Sequence, residues 1–184
     1  MSLARVCVFC GSRSGGRPAY ADAARDLGVV LATRGIGLVT GGGHVGLMGV
    51  IADAVLEAGG DAQGVIPRAL LEREVGHAGM TELHVVETMH QRKATMAALS
   101  DAFITLPGGI GTMEELFEVW TWGALGIHAK PVGLLNVAGY YDDLLGFLDG
   151  AVREGFFHPQ HRARLVSADT PEDLLARLAS ASAP

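Results

Sequence analysis

Glycines, a threonine and two acids follow one another in Leu106-Pro-Gly-Gly-Ile-Gly-Thr-Met-Glu-Glu115, where an apolar run over 102–106 gives way to a helical pattern over 111–125. The first backbone N–H groups of a helix have no internal partners, and the helix dipole favours negative charge at that end. Glycines let the main chain approach an anion closely, and Thr112 adds a hydroxyl donor. Gly108, Gly109, Ile110, Gly111 and Thr112 are therefore expected to cradle a phosphate. A tight strand-to-helix turn would also use glycines. Two further glycine turns, at Gly11-Ser12 and at 41–43, favour a ligand site that includes Ser12, Gly42 and Gly43.

Three charged residues stand near this turn in unusual places. The helical pattern over 89–99 puts Met89, Arg92, Met96 and Leu99 on one seam, so Arg92 shares an apolar stripe. A buried guanidinium needs an acceptor, either inside the core or on a ligand. Lys93 lies beside the seam, within reach of the same pocket or of solvent. Glu115 falls early in the helix behind the glycine turn, but Glu114 and Glu118 are near it, and periodicity does not choose between Glu114 and Glu115. Either acid could also be a simple helix-terminus charge.

Other chemistries find little support. The chain lacks Gly-x4-Gly-Lys-Ser/Thr, which excludes a P-loop nucleotidase. Gly41-x-Gly43-x-x-Gly46 matches a dinucleotide fingerprint, but its acidic partner, Asp61, precedes the next strand and so belongs at the wrong sheet edge. Cys7 and Cys10 point to opposite faces of a strand, unlike a redox pair at a helix start. The seven histidines show no metal-binding spacing, so no metal is expected; His44 and His90 read as packing or hydrogen-bonding residues. No nucleophile elbow surrounds Ser12.

The elements that must hold these residues alternate. Strand patterns at 6–10, 36–40, 62–66, 83–86, 102–106, 132–135 and 164–167 are separated by helical patterns at 18–34, 46–58, 89–99, 111–125 and 141–154, with a last helix at 171–178 capped by Thr170. A more polar segment, 68–80, interrupts the series. Continuous apolar strands imply a sheet covered on both faces. The expected fold is α/β: a single-domain, doubly wound, Rossmann-like parallel sheet over 1–184, with 179–184 as a frayed tail.

Composition agrees with a globular chain: 184 residues, 49% hydrophobic, 18% charged, net charge -6. The absence of a Lys/Arg cluster argues against a nucleic-acid polymer as partner. No window is long and apolar enough to span a membrane, and no secretory leader pattern opens the chain, so cytoplasm is the expected compartment.

Pro107-Gly-Gly-Ile-Gly-Thr-Met-Glu-Glu115 resembles the P-G-G-x-G-T-x-x-E signature of the Lonely Guy family, and Met89-His-Gln-Arg-Lys93 is similar to its second motif. Phe9-Cys-Gly-Ser12, Gly41-Gly-Gly-His-Val-Gly-Leu-Met-Gly49 and Lys130-Pro-Val-Gly-Leu-Leu-Asn136 extend the likeness from Val6 to about Leu175. The resemblance implies a cytikinin-riboside 5'-monophosphate phosphoribohydrolase, which cuts an N-glycosidic bond to release base and ribose 5-phosphate without a cofactor. It implies Arg92 and Glu115 as the catalytic pair, and so chooses Glu115 over Glu114. It further implies substrate contacts from Glu74, Lys93, Gly108 to Thr112, and Thr121. His44 and Thr40 depart from the common residues at their positions, with substrate choice as the property they would alter. The old "lysine decarboxylase" label of relatives finds no pyridoxal-phosphate lysine site in this sequence. The non-cytokinin alternatives are a general purine-monophosphate nucleosidase and a nucleotide carrier that turns over nothing. Glu115 and Thr121 are six residues apart on one helix and so point about 120° from each other. A homodimer or larger assembly is expected, with Thr121 serving the neighbouring subunit's site.

Overall fold

Strand β1 (Arg5–Phe9) alternates between two cores: Val6 and Val8 face one side, Cys7 and Phe9 the other, all buried. That period of two puts helices on both faces of the strand. The computed structural model describes residues 3–71 and 76–181. After β1 come α1 (Pro18–Thr33), β2 (Gly37–Thr40), α2 (Gly46–Glu57), β3 (Ala62–Pro67), the short α3 (Arg68–Leu71), β4 (Glu82–Val86) and α4 (Met89–Ala98). The second half holds β5 (Ala102–Thr105), α5 (Ile110–Ala124), β6 (Val132–Leu135), a 3-10 turn (Val137–Gly139), α6 (Asp142–Arg153), α7 (Pro159–Arg162), β7 (Leu165–Ala168) and α8 (Pro171–Ala181).

The seven strands form one parallel sheet in the order β4-β3-β2-β1-β5-β6-β7. One core packs α1, α2 and α8 against the sheet through residues such as Leu27, Ile51 and Leu174. The opposite core packs α4, α5 and α6 through Met96, Leu116, Trp120 and Leu148. This is the expected doubly wound architecture. Chain order reverses at β1: β2 leaves to one side of it and β5 returns on the other. A crevice opens where the carboxyl ends of such neighbouring strands feed oppositely directed connections.

Most element limits agree with the periodicity to within a residue or two. Three short pieces do not show in it: α3, α7 and the 3-10 turn have too few residues to express a helical period. Helix α8 continues to Ala181, past the expected stop at 178, so 179–181 are helical and not frayed. Thr170 caps it as expected, its hydroxyl accepting the Asp173 N–H at 3.4 Å.

Candidate active site

Three connections meet over the β1–β5 crevice and are stitched together by their backbones. Gly11 N–H donates to the Pro107 carbonyl oxygen (3.0 Å), joining the turn after β1 to the turn after β5. Leu47 N–H donates to Gly11 O (3.0 Å), adding the turn after β2. Gly46 has φ +57, and a Cβ there would lie 2.3 Å from the Ser12 carbonyl carbon. Only glycine permits so close an approach. Over these turns lies a cavity of about 580 Å³ whose wall includes Ser12, Arg92, Gly108, Gly109, Ile110, Gly111, Thr112 and Glu115. Stretches far apart in sequence thus converge on one space.

The glycines of the β5–α5 turn differ in their reasons. A Cβ on Gly108 would fall 2.2 Å from Thr112 Oγ1, so Gly108 is required by the protein's own packing. Cβ atoms on Gly109 and Gly111 would meet no protein atom within 4 Å. Gly109 is the N-cap, and Ile110, Gly111 and Thr112 begin α5. These are the positions whose N–H groups lack helical partners. Open space beside bare backbone at a helix start suits an anion.

Arg92 is buried on α4 and reaches under the sheet edge. Its Nε donates to Val65 O (3.1 Å) and its Nη2 to Gly41 O (2.8 Å). A Cβ on Gly41 would lie 2.0 Å from Nη2, so Gly41 is the gap through which the guanidinium passes. Two backbone carbonyls therefore orient Arg92, while its side chain forms part of the cavity wall. The glycine-rich 41–46 stretch, which resembles a dinucleotide fingerprint, has packing reasons of its own. Gly42 (φ +77) lies against Val65 and Leu83, and Gly43 bridges Gly76. Neither Gly42 nor Gly43 belongs to the cavity wall, a departure from the expectation that all three glycine turns would line it.

Helix α5 sorts its acids by angle. Glu114 and Glu118, four residues apart, share a face. The buried Lys93 ammonium lies 2.5 Å from Glu114 Oε1 and 2.9 Å from Glu118 Oε2, the second contact being an ion pair angled out of hydrogen-bond geometry. Burial opposes the charge on Lys93, but the two carboxylates overcome this and hold its pKa above the ordinary lysine value. Lys93 thus faces α5 and is not itself on the cavity wall, although its partner Glu114 is. Glu114 and Glu115 both border the cavity, Glu114 exposed and paired with Lys93, Glu115 half-buried one residue further round the helix. The buried Cys10 thiol also lines the cavity. Burial raises its pKa, the nearby Glu115 carboxylate raises it further, and Arg92 pulls the other way. Cys10 is thus held as a neutral thiol.

The remaining expected residues lie elsewhere. Glu74 falls outside the described residues. Thr121 is exposed on α5 and lines a second, apolar groove of about 340 Å³ with Phe117, Leu125, Phe147 and Phe156. His90 is exposed, and His44 packs edge-on against His77 at 4.7 Å. His44, Asp53 and His77 could offer a metal three ligand atoms, a grouping that spacing did not reveal. However, His77 Nδ1 accepts the Gly79 N–H (3.2 Å), so its Nε2 carries the proton facing Asp53 Oδ1 at 2.9 Å. That tautomer leaves Nε2 without a lone pair for a metal, and the trio reads as a clamp. Periodicity also missed Tyr20, Met48 and Tyr140, which line the cavity from α1, α2 and the turn after the 3-10 piece. No local pattern marks them, because only the strand order gathers those elements.

Among known proteins, the family model described as "Possible lysine decarboxylase" matches residues 48–178. The cavity does not fit that description. The chain's two lysines are Lys93, paired with α5, and Lys130, whose ammonium donates to Ala97 O at 2.5 Å. Neither stands on the cavity wall to form a Schiff base. A probable cytokinin riboside 5'-monophosphate phosphoribohydrolase of Oryza sativa subsp. japonica is 56% identical over 174 residues, covering 95% of this chain and 78% of the relative. A cytokinin riboside 5'-monophosphate phosphoribohydrolase of Arabidopsis thaliana is 55% identical over 174 residues, covering 95% and 82%. Among solved structures, the structural-genomics target TM1055 superposes with TM-score 0.72 at 25% identity, covering 96% of this chain and 98% of that one. The molybdenum cofactor binding protein of Rippkaea orientalis gives 0.71 at 24%, covering 98% of each, and shares the fold. On that identity and coverage, the chain belongs to the Lonely Guy family.

Proposed function

We propose that this protein hydrolyses the N-glycosidic bond of cytokinin riboside 5'-monophosphates, releasing an N6-substituted adenine and ribose 5-phosphate. The observation that carries the proposal is the shared cavity: bare backbone at Gly109 and Gly111 stands on the same wall as the Glu115 carboxylate and the Arg92 guanidinium. A carrier would need only the first of these. The helix start takes the 5'-phosphate, and that remote binding fixes the sugar. As the bond breaks, its electron pair leaves with the base nitrogen and positive charge builds on the ribose ring. Glu115 stabilises that charge and takes a proton from the water that adds to the anomeric carbon. Arg92 donates a hydrogen bond to the departing base, and the proton that Glu115 took from the water is passed on to the base nitrogen, so that neutral base and ribose 5-phosphate leave and Glu115 is again a carboxylate. Leu47, Met48, Leu70 and Met89 supply apolar wall for an N6 substituent.

The test is incubation with AMP and with its N6-isopentenyl analogue, following free base by chromatography. Faster release from the isopentenyl substrate is expected. Equal rates would make the protein a general purine-monophosphate nucleosidase, and tight binding without release would make it a carrier.

We further infer a homodimer or larger homo-oligomer built on the second groove. Leu125, Phe147 and Phe156 are 71%, 69% and 89% exposed and adjoin Thr121. Apolar surface of that extent marks an interaction face. A partner seated there would place Thr121 near the partner's substrate and not its own. The expected compartment is the cytoplasm; among the described residues, no helix is long and apolar enough to cross a membrane.

A further inference from the structure

Two consecutive tyrosines reach across from the neighbouring strand connection to hold the β5–α5 turn. The Tyr140 hydroxyl donates to Gly108 O at 2.7 Å, and the Tyr141 hydroxyl donates to Leu106 O at 2.6 Å. Tyr141 is buried and packs as a core residue. Tyr140 is 43% exposed and lines the cavity. Core packing therefore explains Tyr141 but leaves the placement of Tyr140 unexplained.

The peptide plane supplies an explanation. The Gly108 carbonyl and the Gly109 N–H belong to one planar trans peptide and point in opposite directions. A hydroxyl that fixes the carbonyl on the Tyr140 side therefore fixes the direction of the Gly109 N–H. Among the described residues no group accepts a hydrogen bond from that N–H. Donation to the carbonyl also polarises the peptide and strengthens its N–H as a donor. Without the hydroxyl, the glycine pair is free to turn the carbonyl toward the cavity, where it would repel an anion.

The chain goes to some length to place this hydroxyl. Ala138, two residues before, has φ +52, and among the described residues it is the only non-glycine with positive φ. That left-handed step turns the chain out of β6 toward the cavity. Asn136 Oδ1 then accepts the Tyr141 N–H (2.7 Å), closing the turn. The Tyr20 ring stands edge-on to Tyr140 at 5.6 Å and backs it.

We propose that Tyr140 is a positioning residue that orients the phosphate loop through the Gly108–Gly109 peptide. The proposal rests on the reading of that loop as the 5'-phosphate site. Its test compares the wild type with Tyr140→Phe, which keeps the ring contacts with Tyr20 and Tyr141 and removes only the hydroxyl. Calorimetry measures the binding of AMP, inorganic phosphate and adenosine to each. The Phe variant is expected to bind AMP and phosphate about fivefold more weakly, the effect of roughly one hydrogen bond, with adenosine unchanged. It should also raise KM for the monophosphate more than it lowers kcat. Wild-type affinity for AMP in the Phe variant, or an equal loss for adenosine, would overturn the proposal while leaving the phosphate site standing. A wild type that binds AMP no better than adenosine would overturn both.

Discussion

The Lys93 ammonium and the Glu114 carboxylate meet at 2.5 Å between α4 and α5, and this pair distinguishes two adjacent acids that both border the cavity: Glu114 is bound to a lysine, while Glu115 shares the wall with Arg92. Glu114 and Glu118 repel each other at four-residue spacing unless a cation stands across them. Lys93 does so from a buried position. Glu115, one residue further round the helix, is turned away from that face, although both acids border the cavity.

Exchange of the two acids should therefore have unequal effects. Glu115→Gln is expected to lower turnover about a hundredfold or more while AMP binding is largely kept. Glu114→Gln leaves Lys93 with Glu118 and should lower turnover far less. Base release and calorimetry on both variants check this; equal losses would remove the distinction.

The three glycines of the β5–α5 turn, proposed above to hold the phosphate, should also separate. Gly108→Ala drives a methyl into Thr112 and is expected to destabilise the fold by about 1–3 kcal/mol. Gly111→Ala meets open space and improves helix propensity, so the melting temperature should hold or rise. Its AMP affinity should nevertheless fall about tenfold or more, or roughly 1.4 kcal/mol. Gly109→Ala is expected to lose AMP affinity in the same way, with a slightly lower melting temperature because alanine is a poorer N-cap than glycine. A Gly111→Ala protein with unchanged AMP affinity would place the phosphate elsewhere.

The apolar face around Thr121 predicts a change of assembly. Phe147→Asp puts a charge on a side chain that is 69% exposed and should not unfold the subunit. Light scattering is expected to show dissociation to monomers, with turnover falling in step. A fully active monomer would assign Thr121 a role unrelated to the partner's site.

His128 should leave a signature in acid. Burial lowers its pKa, as do Lys130 and Arg164, against the opposing effect of its hydrogen bond to Val119 O. Lys130 N–H donates to Nδ1 at 3.1 Å, so the neutral ring with its proton on Nε2 fits this place. Between its folded pKa and the unfolded value near 6.5, the unfolded chain binds more protons. Stability should thus be full above about pH 6.5 and decline as pH falls through that window. Urea midpoints at pH 7.5 and 5.5 are expected to drop more for wild type than for His128→Gln.

The glycine turn ahead of α5, the alternation of strands and helices, and the burial of Arg92 were all legible in the sequence, because each is local. A glycine run before a helix, a period of two or 3.6, and a cation on an apolar stripe are written in consecutive residues. Glu115 could be told from Glu114 only by family resemblance. The physical distinction depends on Lys93, more than twenty residues earlier on another helix. The tertiary structure also decided that Gly42 and Gly43 serve packing, that Lys93 faces α5, that Thr121 lies on a separate surface, and that Tyr140 holds Gly108. Such facts follow from which strands become neighbours. Strand order is set by the burial of both sheet faces together, and no window of sequence contains it.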